Sequence, residues 1–330
     1  YGEPYGIQDA RILGSDLLSA PFDNVITGEQ SSLMLTYQMI LSKYLFAKPV
    51  PWKDIEAPKF ICPVPGFDRH FRMLEDFGIE MITVPLAEDG IDIDVLSDVL
   101  QSNSNVLGII CVPRHSNPSG EVYSDDNINK LFKIGKKYSE DFLFLFDHAY
   151  LVHDFLPTKD QTAVWKLAEQ NSTTNQTVVV TSFSKVTFGG GGLSFMAAAS
   201  GNLDLIKRIR GSMVICPDKV NQKRHTKFFK DLRAVKDHMK KHADLIRPKF
   251  EIAYKALEKL DKDVGEYSQP TGGYFITFKS QKPIASKIVE LCKEAGVLLT
   301  PAGATHPVSY THLRAHETDS YLVCRLLREK

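Results

Sequence analysis

Short, continuous apolar runs alternate along this chain with longer stretches of helical periodicity, and that alternation limits the possible folds more than any other feature. The runs fall at residues 60–62, 80–84, 106–112, 142–146, 178–181 and 193–199, and helix-like stretches such as 125–138 separate them. A strand that is apolar at every position is buried on both faces, and strands divided by helices are joined by crossovers. The pattern therefore predicts an α/β chain with a parallel or mostly parallel sheet covered on both sides. Ligands of such sheets gather beyond the carboxyl ends of the strands. Asn117, Asp147, Ser182 and Lys185 all follow strand ends, so one cleft can hold them.

The 330 residues suit a large domain plus a smaller one, and with 43% apolar and 24% charged residues a sizeable core is available. Forty basic and forty acidic residues cancel, which gives no electrostatic footprint for nucleic acid. No run approaches the roughly 20 apolar residues of a membrane span, and no signal-peptide pattern opens the chain. The five cysteines show no Cys-x-x-Cys spacing, so we expect reduced thiols in a cytoplasmic protein rather than a disulfide framework or zinc site. A metal site built from His115, His148, His153 and Asp154 is open on residue type, but no ligand spacing supports it, and no metal is expected.

Four short motifs carry chemistry. Thr181-Ser182-Phe183-Ser184-Lys185 follows a β-branched run and precedes four consecutive glycines from Gly189, so a buried strand delivers one amine to a glycine-lined turn. A desolvated lysine loses its proton more readily and can attack an aldehyde. Asn117-Pro118-Ser119-Gly120 and Asp147-His148-Ala149-Tyr150 each follow a strand, and Gly28-Glu29-Gln30-Ser31-Ser32 opens a helix. That helix, 33–47, is apolar almost all round and is expected to be buried. Its free N–H groups and dipole make the turn before it a phosphate seat, with Gly28 letting the backbone approach and Glu29, Gln30 and Ser31 binding through backbone and short side chains. The glycine run is not followed by Lys-Ser/Thr, and no Gly-x-Gly-x-x-Gly opens an early strand, which disfavours nucleotide binding.

Each motif is weak alone, but together, in this order, they resemble the fold-type I pyridoxal-phosphate enzymes of the class I/II aminotransferase family. Residues 63–70, 217–222 and 300–305 resemble the subgroup called type Ic aspartate aminotransferases, and the resemblance runs from Tyr1 to about His306. It implies pyridoxal 5'-phosphate as cofactor, held as an aldimine on Lys185, which then shuttles the substrate proton. It implies Asp147 at the pyridine nitrogen, keeping the ring protonated as an electron sink. It places Tyr150 and Asn117 at the ring's 3-oxygen and Ser182 at the phosphate. Tyr1 would reach the phosphate of a partner subunit, so a homodimer with shared sites is expected. Lys219 would face the substrate's distal carboxylate.

Two places depart from the pattern. Where relatives carry an arginine eight or nine residues after the lysine, this chain has Leu193 and Ser194. Where relatives stack an aromatic ring on the cofactor, the aligned residue is Val64, and Phe67 is the nearest candidate.

The resemblance implies ping-pong transamination of an amino acid, with aspartate and 2-oxoglutarate as the expected pair. A β-eliminating lyase on the same fold and the effector-binding domain of a transcription regulator stay open as alternatives. Residues 1–218 are expected to form the large domain, following a missing N-terminal segment. Residues 219–306 are expected to form one long helix ending near Asp261 and part of a small α+β domain. The segment 308–318 resembles the translation of a transposase-type sequencing adapter. Residues 307–330 are therefore expected to be non-native and to pack poorly. Arg314 and Arg325 should not serve as the family's substrate-carboxylate arginine, and the chain as written should bind substrate weakly and be inactive.

Overall fold

The structure, a computed structural model, describes residues 2–300, 303–307 and 321–325; within the last segment only the Val323 side chain is described. Tyr1, 301–302, 308–320 and 326–330 lie outside the described residues, so the expectations placed on Tyr1, Arg314 and most of the tail fall outside them too.

The chain runs α1 (Gln8–Leu18), β1 (Val25–Thr27), α2 (Ser32–Phe46), β2 (Lys59–Val64), α3 (Asp68–Asp76), β3 (Glu80–Ala87), β4 (Gly90–Ile91), α4 (Ile93–Ser102) and β5 (Val106–Cys111). It continues through α5 (Asp125–Tyr138), β6 (Leu143–Asp147), α6 (Val164–Gln170), β7 (Thr177–Ser182), β8 (Ser194–Ala198), α7 (Ser200–Met213), α8 (Lys219–Phe228) and α9 (Leu232–Leu257). The last elements are β9 (Gly265–Tyr267), β10 (Phe275–Ser280), α10 (Ala285–Glu294) and β11 (Tyr321–Arg325).

Among the described residues the large sheet has eight strands in the order β1-β8-β7-β6-β5-β2-β3-β4. The central pairs β3–β2, β2–β5, β5–β6 and β6–β7 are parallel, while β8 is antiparallel to both β7 and β1. Two successive reversals restore direction, so β1 ends at the same edge as β5, β6 and β7. The expected mostly parallel sheet is what forms.

Its strands are buried throughout because both faces are covered. Ile61, Ile109, Phe144, Phe146, Val179 and Phe195 point into one core, closed by α1, α4, α5 and α6. Their sequence neighbours Phe60, Cys62, Ile110, Leu145, Val180 and Met196 point into the other, closed by α2, α3 and α7. That division is the period-two geometry of a strand. A third cluster joins Val112, Ala149 and Tyr150 at the strand ends to Ala243, Ile246 and Phe250 of α9 and to Tyr274 and Ile276.

As expected, helix α2 is largely covered: it buries Leu35, Met39 and Ile40 together with Thr36, Gln38 and Ser42, and only Tyr37 of its residues is exposed. Two expectations change. The expected single helix over 219–260 is two, because Phe229 turns into the core and the Asp231 carboxylate accepts from the Ala234 amide at 2.8 Å, starting a new helix. In the tail, Tyr321–Arg325 pairs antiparallel with β10, and Val323 is buried, against the expectation of poor packing. Backbone ladders form with little regard to side-chain identity.

Candidate active site

The carboxyl ends of β5, β6 and β7 are adjacent, and each delivers one group to a cavity of about 160 Å³. The loop after β5 brings Asn117, β6 ends on Asp147, and β7 ends on Ser182 with Lys185 one turn further on. Ser31 and Ser32, at the start of α2, close one side, and Phe67, after β2, closes another. Tyr150 completes the lining, and the Lys185 ammonium lies over its ring, 4.9 Å from the centroid. Phe67 lines the cavity, whereas Val64 is core.

Asp147 is the electrostatic centre. It is almost fully buried, and one oxygen, Oδ2, lies 3.1 Å from His70 Nε2 on α3. The other, Oδ1, has no hydrogen-bond partner. A buried carboxylate oxygen without a donor is costly unless a ligand supplies one, and the residue lines the cavity. Burial pushes the carboxyl up, but the hydrogen bond and attraction to His70 and the Lys185 charge outweigh it and hold Asp147 below the usual carboxylate range. It is an anion that fits a cationic ring nitrogen. His70 is a functional residue that sequence reasoning missed. Its signal was there, three residues after Phe67, but nothing local to that segment points to Asp147, 77 positions away.

The turn before α2 is held by contacts from residues distant in the chain. Ser194, standing where relatives carry an arginine, donates its hydroxyl to the Glu29 carbonyl at 2.9 Å, and its amide donates to the same oxygen. A Cβ on Gly28 would lie 2.4 Å from that Ser194 hydroxyl, so only glycine fits. Ser184 bonds the Gln30 carbonyl and the Ser182 hydroxyl, tying the lysine turn to the turn before α2. The Glu29 side chain is not among the groups that line the cavity and instead meets Arg210, at 3.4 Å, and Gln38, also at 3.4 Å. Arg210, nearly fully buried and also bonded to the Thr27 carbonyl at 2.7 Å, is a second residue that sequence reasoning missed. Lys219 begins α8 and is not among the residues that line the cavity.

The histidines weighed as metal ligands go to separate tasks. His115 and Arg114 both bind Asp154, at 2.6 and 2.7 Å, beside Gly272. Burial pushes His148 and His153 down to about 3, keeping both neutral. Among the described residues no group of histidine, cysteine, aspartate or glutamate is arranged to hold a metal. Cys62, Cys111, Cys216 and Cys292 are free thiols, and no described helix is long and apolar enough to cross a membrane.

This sheet order, with an amine and a buried carboxylate at the ends of neighbouring strands, is that of the fold-type I aminotransferases. An α-aminoadipate aminotransferase from Thermus thermophilus shares the fold at 18% identity, with a TM-score of 0.81 over 99% of this chain and 78% of that one. An aspartate transaminase structure from Corynebacterium glutamicum superposes with a TM-score of 0.89 at 36% identity, covering 98% of this chain and 76% of that one. In sequence, a Corynebacterium glutamicum aspartate aminotransferase is 38% identical over 317 residues, 93% of this chain and 72% of the relative. A model of the family described as aspartate amino-transferase matches residues 1–314, and the chain belongs to that family. It is an enzyme of the aspartate aminotransferase type, in a family whose fold type uses pyridoxal phosphate.

Proposed function

We propose that this protein binds pyridoxal 5'-phosphate through Lys185 and moves an amino group from aspartate to 2-oxoglutarate in two half-reactions. One observation carries the reading. A buried Asp147 has one oxygen fixed by His70 and one unpartnered oxygen, in the same cavity as the Lys185 amine. When bound, the cofactor supplies an electron sink for the carbanion formed at the substrate α-carbon. The protein's residues do the rest. Asp147 holds a proton on the ring nitrogen, and His70 holds Asp147 in place. Tyr150 and Asn117 donate to the ring oxygen. The Ser31, Ser32 and Ser182 hydroxyls, with the amino end of α2, receive the phosphate. The Lys185 amine, once released by substrate amine, would take the α-proton and carry it from substrate to cofactor.

The reading includes a homodimer, supported by exposed Phe188, Ile215, Val220 and Phe228 on and around α8 and the glycine turn. Aspartate as donor is supported by the C. glutamicum relatives. Borohydride treatment of the full-length protein should attach the cofactor covalently to the peptide containing Lys185, and Lys185→Ala should abolish the attachment. Trapping that persists in Lys185→Ala would reject the assignment. An amino-acceptor panel with 2-oxo acids then tests the reaction, and release of ammonia without amino transfer would place the enzyme among the lyases.

A further inference from the structure

The turn that carries Lys185 closes on itself at Phe183, whose carbonyl accepts from the Val186 and Thr187 amides at 3.0 and 2.9 Å. Three of its polar groups are met, one after another, by α8, α9 and the residue before β10. The Lys185 carbonyl accepts from the Tyr274 hydroxyl at 2.9 Å, and that hydroxyl lies 3.3 Å from His242 Nε2. The Val186 carbonyl lies 2.9 Å from His238 Nε2. The Thr187 hydroxyl lies 3.2 Å from His225 Nε2, and His225 Nδ1 lies 2.9 Å from the Asn221 carbonyl of α8.

Elementary bookkeeping of protons fixes the direction of these bonds. A carbonyl only accepts, so Tyr274 gives its single proton to Lys185, and its oxygen must accept from His242 Nε2–H. For the same reason His238 carries a proton on Nε2. His238 and His242 are four residues apart on α9, hence on one face, and that face looks at the lysine turn. Tyr274 is buried just before β10, and its ring meets those of Tyr150 at 5.9 Å and His153 at 5.3 Å. Packing is therefore supplied by the ring, and the hydroxyl is left to do something a phenylalanine could not.

We propose that Tyr274, together with His242 and His238, is a positioning set. It fixes the backbone of Lys185 and couples the α9–β10 layer to the amine, so that a shift of that layer is felt at the reacting nitrogen. The inference rests on the reading of Lys185 as the cofactor lysine, but its first readout does not require cofactor.

Tyr274→Phe in the full-length protein removes one oxygen and keeps the ring. In cofactor-free protein, amide hydrogen exchange over residues 183–188 should quicken about ten-fold while the rest of the sheet is unchanged. In loaded protein, kcat should fall about ten-fold with KM within about two-fold, because orientation rather than affinity is lost. The pH midpoint of the cofactor–lysine absorbance should also move. His242→Gln, which keeps an N–H in reach, should retain more activity than His242→Leu. Wild-type exchange and an unmoved midpoint in Tyr274→Phe overturn the proposal even if kcat falls. If Tyr274→Phe does not fold, the same readouts are taken on His242→Leu, and wild-type values there overturn it. Absence of trapping at Lys185 in the wild-type protein, with quickened exchange in Tyr274→Phe, would sink the cofactor assignment and leave the tether standing. Normal trapping with unchanged exchange would sink the tether alone.

Discussion

At Asp147 two demands meet on one carboxylate. His70 satisfies one oxygen, and the other is left for the ligand. The residue is almost fully buried, so an amide in its place would keep the shape and lose the charge. We expect Asp147→Asn to lower kcat by about 3 kcal/mol, roughly a hundred-fold, since a buried charge loses its partner. His70→Leu should cost less, because it leaves the acid present but free to turn. Steady-state kinetics on the two variants checks the order, and equal losses would mean that His70 is itself a reacting group. A different consideration applies at Gly28, where added volume rather than lost charge is at issue. A methyl there meets the Ser194 hydroxyl and, at 2.7 Å, Leu35 Cγ. Gly28→Ala should therefore weaken cofactor binding through a displaced phosphate turn, and Ser194→Ala should not restore it, because the Leu35 contact remains. Equilibrium titration of cofactor into each variant reads this directly.

Among the elements, the boundary between α8 and α9 matters most, because both helices reach the lysine turn. Their separation rests on Phe229, which turns into the core, and on the exposed Asp231 carboxylate, which caps α9 by accepting from the Ala234 amide. Asp231→Ala should cost about 1 kcal/mol of stability, the usual value of an N-cap, measured by urea unfolding. By contrast α5 runs over the same residues that the sequence predicts, 125–138. Its cap is written locally, Ser124 accepting from Asn127 at 3.0 Å, and acidic residues open it while lysines close it. A helix whose boundaries depend on its own residues is legible in one dimension. The α8–α9 break is not, since Phe229 leaves the helix for a core contact with Phe183 that lies far away in sequence.

Over the whole molecule, buried titratable groups set the response to acid. His148 and His153 are held down to about 3 by burial, so between pH 6.5 and 4.5 the unfolded chain takes up protons there that the folded chain does not. More protons on the unfolded state mean that stability rises with pH across that window and falls on acidification. Each site contributes up to about 1.4 kcal/mol per pH unit. Glu121 works the other way. Burial raises it to about 7, so the folded chain keeps a proton that the unfolded chain loses above roughly 4.3, and its contribution is lost as pH rises. Removing that opposition with Glu121→Gln should steepen the acid loss. Urea melts at intervals from pH 7 to 4.5 test the sign, and a shallower slope in Glu121→Gln would contradict it.

The sequence by itself determined the parallel sheet, because strands apolar at every position cannot be solvated on either face. It also marked Asn117, Asp147, Tyr150, Ser182 and Lys185 as candidates, because each stands in a short motif beside a strand end, and the structure brings all five into one cavity. What only the tertiary structure decided were the partnerships. His70 with Asp147, Arg210 with Glu29 and Tyr274 with Lys185 join residues 77, 181 and 89 positions apart. The physical reason is the same in each case. A strand or a capped helix is selected by the energetics of its own few residues, whereas a hydrogen bond between distant groups exists only after packing has set their separation to a few tenths of an ångström. The Glu29 side chain and the tail strand at β10 belong with these, since a side chain's direction and a ladder's partner are both chosen by neighbours that the linear order does not name.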